Sequence, residues 1–221
     1  HTGAAGVKKA ATREPLRADS RVHVGSIAKT VLATGLLHLA STGRLDLDAP
    51  VNRYLPALRF DNPWPDHPVR VRHLLDHTSG LDDIRLWQMF STQPTPDTPL
   101  REAFDRDPTV LAIRSRPGSQ FSYSNMGFAL AGMVIEAVTR ERYEDWLDRE
   151  LLRPLGMRDS TFHFTTQEGA NADTRLAWGH HDLATPAPAM PVYLRPAGQL
   201  TTTARDLAVF GAFLLGDGRV D

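Results

Sequence analysis

Between Ser26 and Thr42 the apolar positions crowd every side of a 3.6-residue period: Ile27, Ala28, Val31, Leu32, Ala33, Leu36, Leu37, Leu39 and Ala40 leave almost no polar face. That pattern predicts a buried central helix, and Gly43 stands where a helix C-terminal cap belongs. The preceding stretch is polar and turn-rich, except that Arg21-Val22-His23-Val24 alternates with period two and predicts a short strand. Downstream, helical spacing recurs over 69–77, 100–115, 126–139 and 143–152. Two proline-rich loops, 60–68 and 91–99, divide these segments, because proline lacks the N–H that a helix or ladder needs. Residues 184–191 mix alanine with proline, threonine and methionine and suit neither a helix nor a central strand. Thr203 then reads as the N-cap of a last helix over 205–215, closed by Gly216. Several helices in a row behind a central one predict an inserted helical lobe.

Composition narrows the class without naming an activity. The 221 residues are 41% apolar and 23% charged, the balance of a folded globular chain, with room for one domain or two small lobes sharing a core. Lys plus Arg total 25 against 26 for Asp plus Glu, so the net charge of -1 offers no basic field for nucleic acid or anionic lipid. The absence of cysteine excludes thiol nucleophiles, disulfides and Cys-ligated zinc, and leaves the compartment open. No apolar run approaches the roughly 18 residues of a membrane-spanning helix. The first residue is His1, so the numbering is expected to begin inside a longer product or after processing, for instance removal of a signal peptide.

Candidate chemistry starts at Gly25-Ser26-Ile27-Ala28-Lys29-Thr30, at the head of the apolar helix. Positions i and i+3 share a helix face, so the Lys29 amine can reach the Ser26 hydroxyl. A serine hydroxyl is a weak nucleophile until a neighbouring base accepts its proton, and a desolvated lysine can serve as that base. An N-cap serine followed by a solvated lysine would give the same letters. Against that stands the helix itself, which has almost no polar face for Lys29 to occupy. Further on, Phe121-Ser122-Tyr123-Ser124-Asn125 ends a loop that leads into an apolar helix, where Tyr123 and Asn125 can aim a phenol and an amide at one place. A core tyrosine and an N-cap asparagine are the plainer alternative. His73-Leu74-Leu75-Asp76-His77-Thr78-Ser79-Gly80-Leu81 lies between the two segments.

Together these segments resemble the serine β-lactamase and penicillin-binding protein superfamily, in its class C β-lactamase and family VIII esterase branch. Ser26 to Lys29 matches the S-x-x-K motif of that superfamily. Tyr123-Ser124-Asn125 matches the second motif in its Tyr-x-Asn form. The likeness continues through 74–81, 123–128, Leu151-Leu152-Arg153-Pro154-Leu155-Gly156-Met157 and 196–207, in family order. It implies an α+β fold, an α/β/α sandwich with an antiparallel sheet joined to an all-helical lobe, with the active site in the cleft between. Residues 1–52 would carry the first strands and the nucleophile helix, 53–195 the mostly helical lobe, and 196–221 the return toward the sandwich. Ser26 is implied as the acylated nucleophile, Lys29 and Tyr123 as shared base and proton relay, and Asn125 as the residue orienting substrate and the Lys29 amine.

No metal or organic cofactor is implied, and the partner is a small-molecule or peptide acyl substrate: an ester, a β-lactam or a D-amino peptide. A periplasmic or secreted location is implied, with the cytoplasm as the alternative. The third motif, Lys-Thr-Gly or His-x-Gly, belongs downstream of the Thr203 helix, beyond Asp221. A further C-terminal portion or a second chain is therefore expected to complete the fold, and a catalytically impaired penicillin-binding or sensor module is a second reading. His1-Thr2-Gly3 has the letters of that motif at the wrong end and reads as coincidence. A third reading is a zinc hydrolase on His73 and His77, which are spaced i, i+4 but with Leu74 where the glutamate of H-E-x-x-H would stand.

Overall fold

The apolar segment forms helix α1 (Ile27–Ser41), which is not buried on every side as its pattern predicts: Ile27, Thr30, Leu37 and His38 are exposed, while Ala28, Val31, Leu32, Leu36 and Leu39 are wholly buried. Each such leucine contributes about 1.5–3 kcal/mol through removal of its surface from water. The computed structural model describes residues 2–83, 91–182, 185–216 and 218. His1 of the His1-Thr2-Gly3 triplet lies outside the described residues.

The short strand expected before α1 is present as β3 (Val22–His23), after the antiparallel pair β1 (Val7–Lys9) and β2 (Glu14–Pro15). Between β3 and α1 the backbone turns at Gly25, whose φ of 53° is a left-handed conformation that a side chain disfavours. This turn delivers Ser26 to the first turn of α1.

Helix α2 (Val71–Leu75) occupies part of the 69–77 segment. The 100–115 segment departs from expectation: it holds a short helix, α3 (Glu102–Asp105), and a separate 3-10 turn, Pro108–Leu111. Pro108 cannot donate to a continuing helix, and the Asp107 side chain instead accepts the Thr109 N–H and starts a new turn. Its apolar residues Leu100, Ala103, Phe104, Val110 and Leu111 are nevertheless buried, so the period reported burial correctly and continuity wrongly. Helix α4 (Asn125–Thr139) is capped by Ser124, whose hydroxyl accepts the Gly127 N–H at 3.1 Å. Helix α5 (Tyr143–Leu147) widens into a π-turn, Asp148–Leu152, and the buried Asp148 carboxylate accepts the N–H of Phe162 at 2.9 Å and the hydroxyl of Thr161.

The Pro-containing segment near 184–191 supplies β5 (Pro186–Ala187), which pairs antiparallel with β4 (Gly179–His180) as a short edge hairpin; residue 184 lies outside the described residues. Strand β6 (Thr201–Thr202) returns to pair antiparallel with β3, Val22 facing Thr202 and His23 facing Thr201. Thr203 then caps helix α6 (Ala204–Leu215), accepting the Asp206 N–H at 3.2 Å.

Two contacts fix the site from behind. Every residue of α4 from Met126 to Ile135 is buried, and a Cβ at Gly132 would lie 2.7 Å from the ring of Pro196. The 3-10 turn Arg195–Ala197 therefore rests directly on the α4 backbone. Arg195, itself buried, donates to the buried Glu144 carboxylate at 2.7 Å and to the Thr98 carbonyl at 2.6 Å, so its charge is both paired and hydrogen-bonded. Ala197 is thereby held beside α1.

Candidate active site

Ser26 is exposed at the head of α1 and makes no side-chain capping bond, which leaves its hydroxyl available. Its Oγ accepts from Lys29 Nζ at 3.1 Å and from the Tyr123 hydroxyl at 2.7 Å. Lys29 is 5% exposed, so the solvated-lysine alternative does not describe it. Its ammonium also donates to the Ala197 carbonyl at 2.7 Å and lies 5.0 Å from the Tyr123 ring centre and 5.6 Å from that of Phe128. A buried cation keeps its charge only with such partners. Tyr123 is 43% exposed rather than a core residue, and the N-cap of α4 is Ser124 rather than Asn125. Ser26, Lys29 and Tyr123 thus meet at one oxygen across 97 residues of chain.

Asn125 lines a cavity of about 410 Å³ together with Ser26 and His23, and Phe164, Met190, Val192 and Leu194 supply an apolar wall. The amide nitrogen of Asn125 donates to Asp83 at 2.7 Å. Asp83 and the Ala197 carbonyl are the parts of this constellation that the sequence did not single out. Asp83 stands beside a second aspartate in a loop and looks like a solvated charge. Ala197 acts through its backbone, which carries no residue-type signal.

His73 and His77 do not share a helix face, because α2 stops at Leu75 and His77 has a left-handed φ of 60°. His73 Nδ1 accepts the Arg70 N–H at 3.2 Å, and His77 Nδ1 accepts the Ser124 N–H at 3.1 Å. The donor set of a zinc hydrolase on this pair is not assembled among the described residues. His77 instead stacks on the Tyr123 ring, 4.4 Å between centres and 28° between planes.

Burial holds His23, His73 and His77 below the ordinary histidine range, and at His77 the Lys29 cation adds to the effect. The unfolded chain takes up those protons first, so stability that is fully present above pH about 6.5 falls as pH drops toward the folded values. Glu136 and Asp148, pushed up by burial, act in the opposite sense at lower pH. Urea unfolding is expected to show a lower midpoint at about pH 6 than at about pH 7.5. Equal midpoints would contradict three histidines held neutral.

Among known proteins, the family model described as beta-lactamase matches residues 1–221. Esterase EstB of Burkholderia gladioli is 33% identical over 181 residues, which are 76% of this chain and 43% of the esterase. A penicillin-binding protein homologue from Pyrococcus abyssi superposes with a TM-score of 0.78 and 27% identity, covering 97% of this chain and 49% of that one. The D-amino acid amidase of Ochrobactrum anthropi gives 0.73 and 28%, covering 97% of this chain and 61% of the amidase. The chain spans less than two thirds of each of these three proteins. Among the described residues no helix is long and apolar enough to cross a membrane.

Proposed function

The chain belongs to the beta-lactamase family, with its β-lactamase/transpeptidase-like fold of mixed helix and antiparallel sheet, and we propose that it is the nucleophile-bearing part of a serine hydrolase that forms an acyl-enzyme on Ser26. The family's named relatives include an esterase and an amidase, both hydrolytic. The observation that carries the reading is the double contact on Ser26 Oγ, from Lys29 Nζ at 3.1 Å and Tyr123 Oη at 2.7 Å.

In this mechanism the reactive pair of Lys29 and Tyr123 carries one proton fewer than an ammonium plus a phenol: Ser26 Oγ attacks the substrate carbonyl carbon, and its proton leaves along one of those two contacts to the pair. The positive charge that the pair gains with that proton compensates the negative charge that builds on the carbonyl oxygen. The Ser26 backbone N–H, which makes no hydrogen bond to any described residue, is a donor left over by the first helical turn and is assigned to the oxyanion. The tetrahedral intermediate collapses, the leaving group takes the proton back from the pair, and the acyl group stays on Ser26. Water then attacks the acyl carbon, gives its proton to the same pair, and Ser26 departs with that proton. Asn125, on the cavity wall, orients the acyl portion.

The apolar wall of Phe164, Met190, Val192 and Leu194, facing a His23 held neutral by burial, favours an uncharged, apolar acyl group. A charged group would lose part of its water there with no oppositely charged side chain in the described lining. With the complete natural chain, nitrophenyl esters of neutral acyl groups are expected to be hydrolysed with kcat/KM about tenfold or more above esters of similar size bearing an ammonium or carboxylate. Equal rates, or a preference for the charged acyl group, would contradict the apolar assignment. A stoichiometric burst without turnover would mark a sensor module instead.

A further inference from the structure

The carboxylate of Asp83 binds the chain on both sides of the helix start that carries Asn125. Its two oxygens accept the Asn125 backbone N–H at 2.9 and 2.7 Å, and Oδ1 accepts the Met126 N–H at 3.1 Å and the Ser124 hydroxyl at 3.3 Å. Asp83 Oδ2 also accepts the Asn125 side-chain nitrogen at 2.7 Å. That last contact has a chemical sense: a carboxylate has no proton to give, so the edge of a primary amide that faces it must be the nitrogen edge. The planar group is then fixed with its carbonyl oxygen turned away from Asp83. Asn125 also lines the cavity that holds Ser26, so the orientation of this amide bears on whatever occupies the cavity. On the other side of Ser124, His77 Nδ1 accepts the Ser124 N–H and its ring supports Tyr123.

We propose that Asp83 is a positioning residue of this active site: it fixes the orientation of the Asn125 amide, so that Asn125 offers its carbonyl oxygen rather than its nitrogen edge to the cavity. Without the anion, the amide can rotate about its last side-chain bond and lose that orientation, while Tyr123 remains on its His77 support. The proposal rests on the reading of Ser26, Lys29, Tyr123 and Asn125 given above.

The test is a double-mutant cycle in the complete natural chain, with Asp83→Asn and Asn125→Ala alone and together, read as kcat and KM on a neutral nitrophenyl ester. Asp83→Asn is expected to lower kcat about tenfold or more with KM changed less than about twofold. Added to Asn125→Ala, it is expected to change kcat by less than about twofold, because the amide it orients is gone. An equal loss from Asp83→Asn in both backgrounds would overturn the proposal, since Asp83 would then act through the fold or directly. Asp83→Glu, which keeps the anion and displaces it by one methylene, runs the same cycle if Asp83→Asn does not fold; its loss must likewise vanish in the Asn125→Ala background. Ser26→Ala in the same assay separates the two levels. Hydrolysis retained there sinks the Ser26 reading, whereas its loss combined with additive Asp83 and Asn125 effects sinks only the role of Asp83.

Discussion

Replacing Ser26 with alanine is expected to lower kcat/KM for ester hydrolysis at least about 10³-fold, because no acyl-enzyme can form without the hydroxyl. The fold should survive. Ser26 is exposed and its side chain caps nothing, so the stability change should stay within about 0.5 kcal/mol. Lys29 would keep its bond to the Ala197 carbonyl. Circular dichroism and the unfolding midpoint check the second half of the expectation, and steady-state kinetics check the first. Activity within a few-fold of the natural protein would move the nucleophile elsewhere.

Lys29→Met is expected to lower kcat/KM about 10²–10⁴-fold, the usual weight of a positioned acid–base group, because the pair that takes the Ser26 proton is broken, with the loss in kcat rather than KM. Methionine fills much of the buried lysine stem and removes the ammonium. Stability should respond in two opposing ways. The Ala197 carbonyl loses its donor, at a cost of about 1–3 kcal/mol. Against that, a cation that is 5% exposed no longer has to be kept out of water. Stopped-flow measurement of the acylation burst separates the steps, since in the proposed mechanism the pair serves both acylation and deacylation. A rise in KM alone would reduce Lys29 to a binding or packing residue.

What the sequence reveals and what it hides follow from different physics. Helix α1 is legible because its apolar residues recur with helical spacing, although Ile27 and Leu37 lie exposed where that pattern predicts burial, and the Ser26–Lys29 contact follows from the helical period alone. Tyr123 is a different case. Nothing local brings its hydroxyl to within 2.7 Å of a serine 97 residues away, and only the motif with its family resemblance pointed there. The 100–115 segment misled because burial and helicity were read from one pattern. Its apolar residues pack as a helix face would, yet Asp107 and Pro108 break the backbone into two turns. The spacing of His73 and His77 suggested a shared face, and the left-handed backbone at His77 removed it. Asp83 and the carbonyl of Ala197 were hidden for a common reason. Each holds a side chain of the proposed site, Asn125 or Lys29, and such a contact leaves no mark on spacing or composition. The Gly132–Pro196 approach and the Arg195–Glu144 pair, which set the position of Ala197, likewise exist only once α4 and the Arg195–Ala197 turn are packed together.

The central claim is a covalent bond at one oxygen, and peptide mapping after reaction with a fluorophosphonate tests it most directly. Trypsin cuts after Arg21 and Lys29 and releases the peptide 22–29, in which Ser26 is the one hydroxyl-bearing residue. The account predicts a single adduct per chain, carried by that peptide and fragmenting to Ser26, with none formed on Ser26→Ala. An adduct on any other residue, or equal labelling of Ser26→Ala, would contradict it.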